Sequence, residues 1–430
     1  MSIKVGVLGL GTVGSGVIEI IESKMESYKK EMNLDIEFGL LCARSSETRE
    51  YFEKKGYQTT AEPNDLLESP DIDIICELVG GYDLPREWIL KAFENGKHVV
   101  TANKALIAKH GAELFPVAAS KNLYFAFEAA VAGGIPIIST VQHSLVGNTI
   151  KSLSGIINGT CNYILTEMTQ NGGDFGPILK VAQELGYAEA DPTFDVDGID
   201  SAHKLAILAS LATKTFVDFE KIHISGIRDI EGIDIDMARE MGCTIKLLGY
   251  FEQSENRLDA RVHPALLKNS HLLSNVNDVL NAVYMETSAL GPTLLTGAGA
   301  GKLPTASAVV GDLIYIANHL ANGKANPPAM GYYSVDNAAT LMPFEEIEAS
   351  YYVRFVTRDE VGVLAQITNA LSHEDISIKS MFQKDVEDPG HVNIIVLTHS
   401  AQERKIQAAL KSFEASDACV EAPKMIRFAN

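Results

Sequence analysis

Six residues near the start of the chain constrain its fold most. Gly9-Leu-Gly11-Thr-Val-Gly14 follows an apolar run at residues 3–8 and opens a stretch with helical spacing of apolar residues. In that setting the three glycines answer separate steric demands, namely a tight turn, close backbone approach to a pyrophosphate, and close helix–sheet packing. Amides at the helix N-terminus then face the negative charge. Gly9, Gly11, Thr12, Val13 and Gly14 are therefore the expected cofactor contacts. A lone Gly-x-Gly-x-x-Gly also reads as a flexible turn, but the strand before it and the helix after it weigh against that.

The remainder of the first third fits the same plan. Short apolar runs at 36–42, 72–79 and 98–101 predict buried parallel strands, with amphipathic helices at 17–28 and 85–95 between them. That alternation predicts a doubly wound, Rossmann-type α/β domain over residues 1–135. A second α/β region follows over 136–295, with a strand at 150–157 and helices at 162–170, 175–185 and 198–212. A glycine-rich loop at 296–301 leads into an apolar helix at 305–320. The Asn-, Pro-, Gly- and Ala-rich stretch 321–342 reads as a linker, so 296–345 forms a returning segment and linker. Over 350–430 the order is strand 351–357, helix 363–373, strands 377–383 and 393–398, helix 403–413, strand 418–426. This β-α-β-β-α-β order is the ferredoxin-like split motif.

A chain of 430 residues suits about three domains at roughly 150 residues each. Acidic side chains outnumber basic ones 56 to 36, a net charge of -20 that repels a phosphate backbone and disfavours nucleic acid as a partner. No apolar run reaches the ~18 residues of a membrane span, and the start lacks the features of a secretory signal. The five cysteines are widely spaced and never form Cys-x-x-Cys, which fits a reducing cytoplasm better than a zinc or disulfide scaffold.

The second strand ends at Cys42-Ala43-Arg44-Ser45, where an NAD site would carry an acid for the ribose hydroxyl. Arg44 instead suits a 2′-phosphate, with Ser45 and Ser46 as further donors. NADP is the favoured cofactor and NAD stays open, as does a solvated surface role for Arg44.

The densest chemistry lies in Glu189-Ala-Asp191-Pro-Thr-Phe-Asp195-Val-Asp197-Gly-Ile-Asp200-Ser-Ala-His203-Lys204. A calcium loop fails on alignment, because the pattern that fits Asp195, Asp197 and Gly198 puts Thr193 at the first ligand and Lys204 at the twelfth. Asp200 and Lys204 are four apart, on one face of a helix that is apolar nearly all round and so expected to be buried. Burial lowers a lysine's pKa and a nearby carboxylate raises it. The pair is either a proton-transfer group facing a cleft or an ion pair that fixes packing. His203 lies off that face and reads as a packing residue.

With these segments in this order, the chain resembles homoserine dehydrogenase of the form with a C-terminal ACT regulatory domain. The resemblance runs through the fingerprint, Glu77-Leu-Val-Gly-Gly81, Val100-Thr-Ala-Asn-Lys104, Glu128-Ala-Ala-Val-Ala-Gly-Gly-Ile-Pro136, Asn158-Gly-Thr-Cys-Asn-Tyr163 and the 189–204 block. It implies interconversion of L-aspartate 4-semialdehyde and L-homoserine with a nicotinamide cofactor. It makes Lys204 the acid/base, Asp200 its orienting partner, and Lys104 a second active-site lysine beside cofactor and substrate. Glu189 and Asp195 would anchor the substrate ammonium or organise the pocket, and Thr160 and Gly159 would lie against substrate or nicotinamide. Gly301 would touch the cofactor. Glu128, Val131, Gly133 and Ile135 correspond to a monovalent-cation loop, for an ion such as sodium, with a Gly-Pro turn as the alternative.

For the tail, the resemblance implies amino-acid sensing, with threonine as effector, although Val361 replaces the proline usual in Asp-x-Pro-Gly-x-Leu. Dimerisation alone is the competing role. The resemblance also implies a homodimer or homotetramer, since the middle domain supplies a dimer interface in relatives. Another ACT-bearing dehydrogenase of the phosphoglycerate type would use a His–carboxylate arrangement rather than these lysines. A non-catalytic cofactor- and amino-acid-sensing protein would not need Lys204, Lys104 and Glu189 together.

Overall fold

The computed structural model of the chain describes residues 2–254, 257–323, 339–385 and 390–429. It divides into two units: Met1–Gly159, Asp200–Ile222 and Val279–Ala339 in the first, and Thr160–Ile199, His223–Asp278 and Thr340–Asn430 in the second.

The first unit is built on a six-stranded parallel sheet. Its strands run in the order Thr59–Thr60, Asp35–Cys42, Ser2–Leu8, Ile74–Glu77, His98–Thr101 and Phe125–Ala126. This is the dinucleotide-binding order, with the first strand central and the strand order reversing beside it. Val5, Val7, Ile74, Val99 and Val100 are wholly buried, as the continuous apolar runs demand of strands covered on both faces. The third predicted run narrows to Ile74–Glu77, because the glycine pair after it turns the chain at positive φ.

Helix Thr12–Met32 stops where Asn33 adopts the left-handed conformation and its N–H returns to the Tyr28 carbonyl. Helix Lys302–Ala321, late in the chain, contributes Val309, Val310, Leu313 and Ile316 to the same core as Val17, Ile18 and Ile21. The two helices meet at Gly16, where a Cβ would lie 3.0 Å from both the Ala306 methyl and the Lys302 carbonyl. An antiparallel sheet of Ile150–Ile156, Leu280–Thr287 and Pro292–Ala298 completes the first unit's strands among the described residues. The expected loop at 296–301 is therefore half strand: Thr296 and Gly297 pair with Ala282 and Asn281, and the turn begins only after Ala298. Of the expected linker, residues 324–338 lie outside the described residues.

In the second unit, Cys243–Ser254 pairs antiparallel with Arg257–Lys268, which pairs in parallel with Lys424–Phe428. The tail has the expected ferredoxin-like arrangement. Its strands lie in the order Lys424–Phe428, Tyr351–Arg358, His391–Thr398, Ile378–Asp385, with helices Val363–His373 and Glu403–Glu414. The expected last strand, 418–426, is interrupted: Cys419 bridges Thr357 and the Val420 N–H donates to the Val356 carbonyl, but the continuous ladder runs only over Lys424–Phe428, after Pro423, which has no N–H to donate. Arg354, 2 % exposed, meets Asp234 at 2.9 Å and Glu231 at 2.8 Å, and the buried Arg427 meets Glu403 at 2.5 Å. Among the described residues, no helix is long and apolar enough to cross a membrane.

Candidate active site

The fingerprint does what its glycines suggest. Gly9 has φ +99, and a Cβ there would stand 2.8 Å from the Leu78 carbonyl oxygen; at Gly14 it would stand 2.0 Å from the Gly9 oxygen. At Gly11 a Cβ would meet nothing within 4 Å, so the glycine leaves open space in front of the backbone. The helix begins at Thr12 without a side-chain cap, so the first amides, at Thr12, Val13 and Gly14, have no partner within the helix. The turn before them borders a cavity of about 840 Å³ lined by Gly9, Gly11, Arg44, Ser45, Gly80 and Trp88. That volume falls in the range of small-molecule and cofactor sites. A cradle that any Cβ would fill, free helix amides and a cation at the second strand end fit a dinucleotide. Arg44 is exposed at the cavity, and Ser45 caps the next helix by accepting the Thr48 N–H at 3.2 Å. Arg49, which sequence reasoning missed, donates to the Ala43 and Arg44 carbonyls at 2.7 and 2.8 Å and fixes this turn.

The two lysines meet on one carboxylate. Lys204 Nζ lies 2.7 Å from Asp200 Oδ2, and Lys104 Nζ lies 2.5 Å from Asp200 Oδ1. Lys204 also donates to the Ile157 carbonyl at 2.7 Å, and Asn158 Nδ2 donates to Asp200 Oδ2 at 2.9 Å. The Asp200 side chain is 2 % exposed, that of Lys204 10 %, and that of Lys104 34 %, so Lys104 is the member nearest solvent. Burial alone would push the Asp200 carboxyl up. The adjacent Lys204 and Lys104 ammonium groups outweigh it and hold the carboxyl well below the usual range. Two ammonium groups on one carboxylate leave the group with a net positive charge.

Helical spacing explains the first contact, since Asp200 and Lys204 are i and i+4 in helix Ile199–Thr213. The second is tertiary. Lys104 opens helix Lys104–Ser120 after the strand His98–Thr101, and Asn103 caps that helix by accepting the Leu106 N–H at 3.1 Å. A lysine in a first turn opposes the helix dipole, and Asp200 compensates it. His203, 1 % exposed, packs edge-on against Phe219 at 4.4 Å, and burial lowers its pKa to about 4, as suits a neutral packing residue.

Gly159 belongs to the same unit. A Cβ there would be 2.9 Å from the Val279 carbonyl oxygen. Gly301, at φ +123, caps helix Lys302–Ala321 from an exposed position. Glu128 is 6 % exposed, and its carboxylate oxygens accept the Ile138 and Ser139 N–H groups at 2.8 and 2.7 Å. The chain between them turns through positive φ at Ala132 and Gly133, and the Ile135 carbonyl accepts the Ile137 N–H. This loop is rich in peptide oxygen, which suits a hard cation.

In the second unit, Thr160 Oγ1 donates to the Tyr187 carbonyl at 2.6 Å and lies 3.5 Å from Asp195 Oδ2. Glu189 is exposed, and its carbonyl accepts Gln183 Nε2. Asp197, which sequence reasoning gave no site role, is bridged by Arg228, which also reaches Thr193 Oγ1 at 3.2 Å. In the tail, a cavity of about 310 Å³ lies over Arg358, Asp359, Gly362, Leu364 and Gln383. Gly362, at φ +96, starts helix Val363–His373 there, and Val361 projects fully into solvent.

Sequence comparison matches residues 9–128 to the NAD-binding domain of homoserine dehydrogenase, 136–314 to homoserine dehydrogenase and 351–417 to the ACT domain. The homoserine dehydrogenase of Neisseria gonorrhoeae is 44% identical over 99% of the chain and 98% of its own length. That of Pseudomonas aeruginosa is 44% identical over 96% and 95%. The crystal structure of a homoserine dehydrogenase from Thiobacillus denitrificans superposes with a TM-score of 0.93 at 42% identity, covering 100% of this chain and 99% of that one.

Proposed function

The chain belongs to the homoserine dehydrogenase family, and from that premise we propose how its residues divide the work of an NAD(P)-dependent oxidoreductase that interconverts L-homoserine and L-aspartate 4-semialdehyde. The observation that carries the reading is the pair of lysines on the single buried carboxylate of Asp200. The bound nicotinamide supplies or accepts the hydride. When the aldehyde carbon is reduced, its oxygen gains charge and must receive a proton, and Lys204 is the group that gives it. Asp200 and the Ile157 carbonyl aim that ammonium group. Lys104 stands beside it as a second cation, and the net positive charge of the cluster stabilises the developing alkoxide. In the oxidising direction Lys204 takes the hydroxyl proton back. Glu189 and Asp195 are the candidates to hold the substrate ammonium, with Thr160 and Gly159 framing the substrate.

Purified protein is expected to reduce NADP or NAD when homoserine is added. No homoserine-dependent reduction of either cofactor sinks the reading.

We assign NADP as the preferred cofactor, with Arg44 on the 2′-phosphate. Arg44→Ala is expected to lower kcat/KM with NADP by roughly tenfold or more, the worth of one charge-assisted hydrogen bond, with kcat/KM for NAD nearly unchanged. An equal loss with both cofactors argues against the assignment. Glu128 and the peptide oxygens of Val131, Gly133 and Ile135 are the candidates for a monovalent cation such as sodium. We also propose the domain limits at 135, 295 and 345, and an assembly of at least two chains.

For the tail we propose that free threonine fills the cavity at Gly362 and lowers the rate. Gly362→Val is expected to blunt that response with the basal rate intact, as read by threonine titration of both proteins. An unchanged threonine response in the variant refutes the placement.

A further inference from the structure

One buried carboxylate takes no part in the chemistry above. Glu77, at the end of the strand Ile74–Glu77, is 0 % exposed. An acid so placed costs free energy unless each oxygen is well satisfied, and here both are. Oε1 accepts the Val79 N–H at 2.8 Å and the Gly80 N–H at 3.3 Å, and Oε2 accepts the Thr101 hydroxyl at 2.7 Å. The two oxygens hold different pieces of the unit.

On one side is the turn after the strand. Val79, Gly80 and Gly81 line the cofactor cavity; both glycines have positive φ, +82 and +88, and the Val79 and Gly80 amides tie the turn to the Glu77 carboxylate. On the other side is the start of the Lys104 helix. Thr101 Oγ1, already donating to Glu77, accepts the Asn103 N–H at 3.0 Å. Asn103 caps the helix and sends its Nδ2 back to the Gly81 carbonyl at 2.8 Å. The circuit runs from the cavity wall through Glu77, Thr101 and Asn103 to the first turn that carries Lys104, and returns to the cavity wall at Gly81.

We propose that Glu77 is a positioning residue for the reaction: its single carboxylate fixes the Val79–Gly81 wall of the cofactor cavity and the placement of Lys104 together, so that binding of the cofactor and readiness of that lysine are coupled. The proposal rests on Lys104 being an active-site lysine. A carboxylate is needed because it accepts on both oxygens. Glutamine has the same shape, but with its oxygen on the two amides its NH₂ end must donate to Thr101 Oγ1, so the amides lose a charged acceptor and the Thr101 hydroxyl proton loses its acceptor.

The test uses the full-length protein and two readouts. The chain has one tryptophan, Trp88, and it lines the cofactor cavity. Its emission therefore reports NADPH binding directly, without turnover. Glu77→Gln is expected to weaken NADPH binding and to lower kcat, each about tenfold, the scale of one lost charge-assisted hydrogen bond. Thr101→Val removes the hydroxyl link between Glu77 and the Asn103 N–H and leaves the Val79 and Gly80 bonds in place. It is expected to lower kcat by a similar factor with NADPH affinity within about twofold, and it keeps the inference testable if the Glu77 variant does not fold. A merely structural Glu77 would lower the melting temperature and leave the folded protein's affinity and kcat unchanged, and that result overturns the proposal. So does a Thr101→Val protein with wild-type kcat. A Lys104→Met protein with wild-type kcat would instead sink the role of Lys104, whatever Glu77→Gln does to NADPH affinity.

Discussion

Lys204→Ala is expected to lower kcat for homoserine oxidation by about 10²–10⁴-fold, the range contributed by a positioned general acid or base. The Michaelis constant for NADP should change little, because the fingerprint and Arg44 lie on other elements of the unit. The size of the loss follows from what remains. Without Lys204, Asp200 still pairs with Lys104 and still accepts from Asn158, so the carboxylate stays ionised and the site keeps a cation. Water then has to supply or remove the proton.

Lys204→Arg sharpens the test. It keeps a positive charge beside Asp200, but a guanidinium does not give up its proton at working pH. A role in charge or packing alone predicts an arginine protein close to wild type, whereas proton transfer predicts one nearly as slow as the alanine protein. Steady-state rates against pH for the three proteins decide it, and an alanine protein within tenfold of wild-type kcat removes Lys204 from the assigned step.

How much of this is legible in the sequence depends on how local each feature is. The fingerprint can be read because a strand, three glycines and a helix start fall within about fourteen consecutive residues, and the steric demand on each glycine is local. The Asp200–Lys204 contact is readable from helical spacing, and the ferredoxin-like tail from the order of its elements. What cannot be read is tertiary. Nothing in the spacing of Lys104 and Asp200, far apart in the chain, says that both lysines share one carboxylate. Asn158 stands inside a recognised segment, but its amide on Asp200 becomes visible only once the helix is placed beside that segment. Glu77 likewise reads as one letter of a motif, and its two-sided hydrogen bonding depends on a parallel strand neighbour at Thr101. The interrupted last strand shows a missed local signal, since Pro423, without an N–H, already marks where the continuous ladder can resume.

Asp200 carries the second large expectation, and it concerns stability as well as rate. Asp200→Asn leaves an uncharged amide between two ammonium groups, and removing one partner of a buried ion pair costs about 3–5 kcal/mol. The Asn oxygen can serve one lysine, but its NH₂ end then faces another donor, Lys204, Lys104 or Asn158. Lys104 can relax toward solvent, being one-third exposed, which places the cost toward the lower end of that range. The pH dependence has a definite sign. The Asp200 carboxyl is held below its ordinary range in the fold by the two lysines, despite burial that acts the other way. Its contribution is therefore complete above the unfolded carboxyl value of about 3.9 and is lost only as pH falls through the lower, folded value. Urea unfolding of wild type and Asp200→Asn should give a difference that is flat from about pH 5 to 8 and narrows only in stronger acid. The homoserine rate should fall in parallel at neutral pH, since Lys204 loses the group that aims it. A variant within about 1 kcal/mol of wild type near neutral pH, or a difference that disappears by about pH 6, would mean that the shared carboxylate does not hold the two lysines in place.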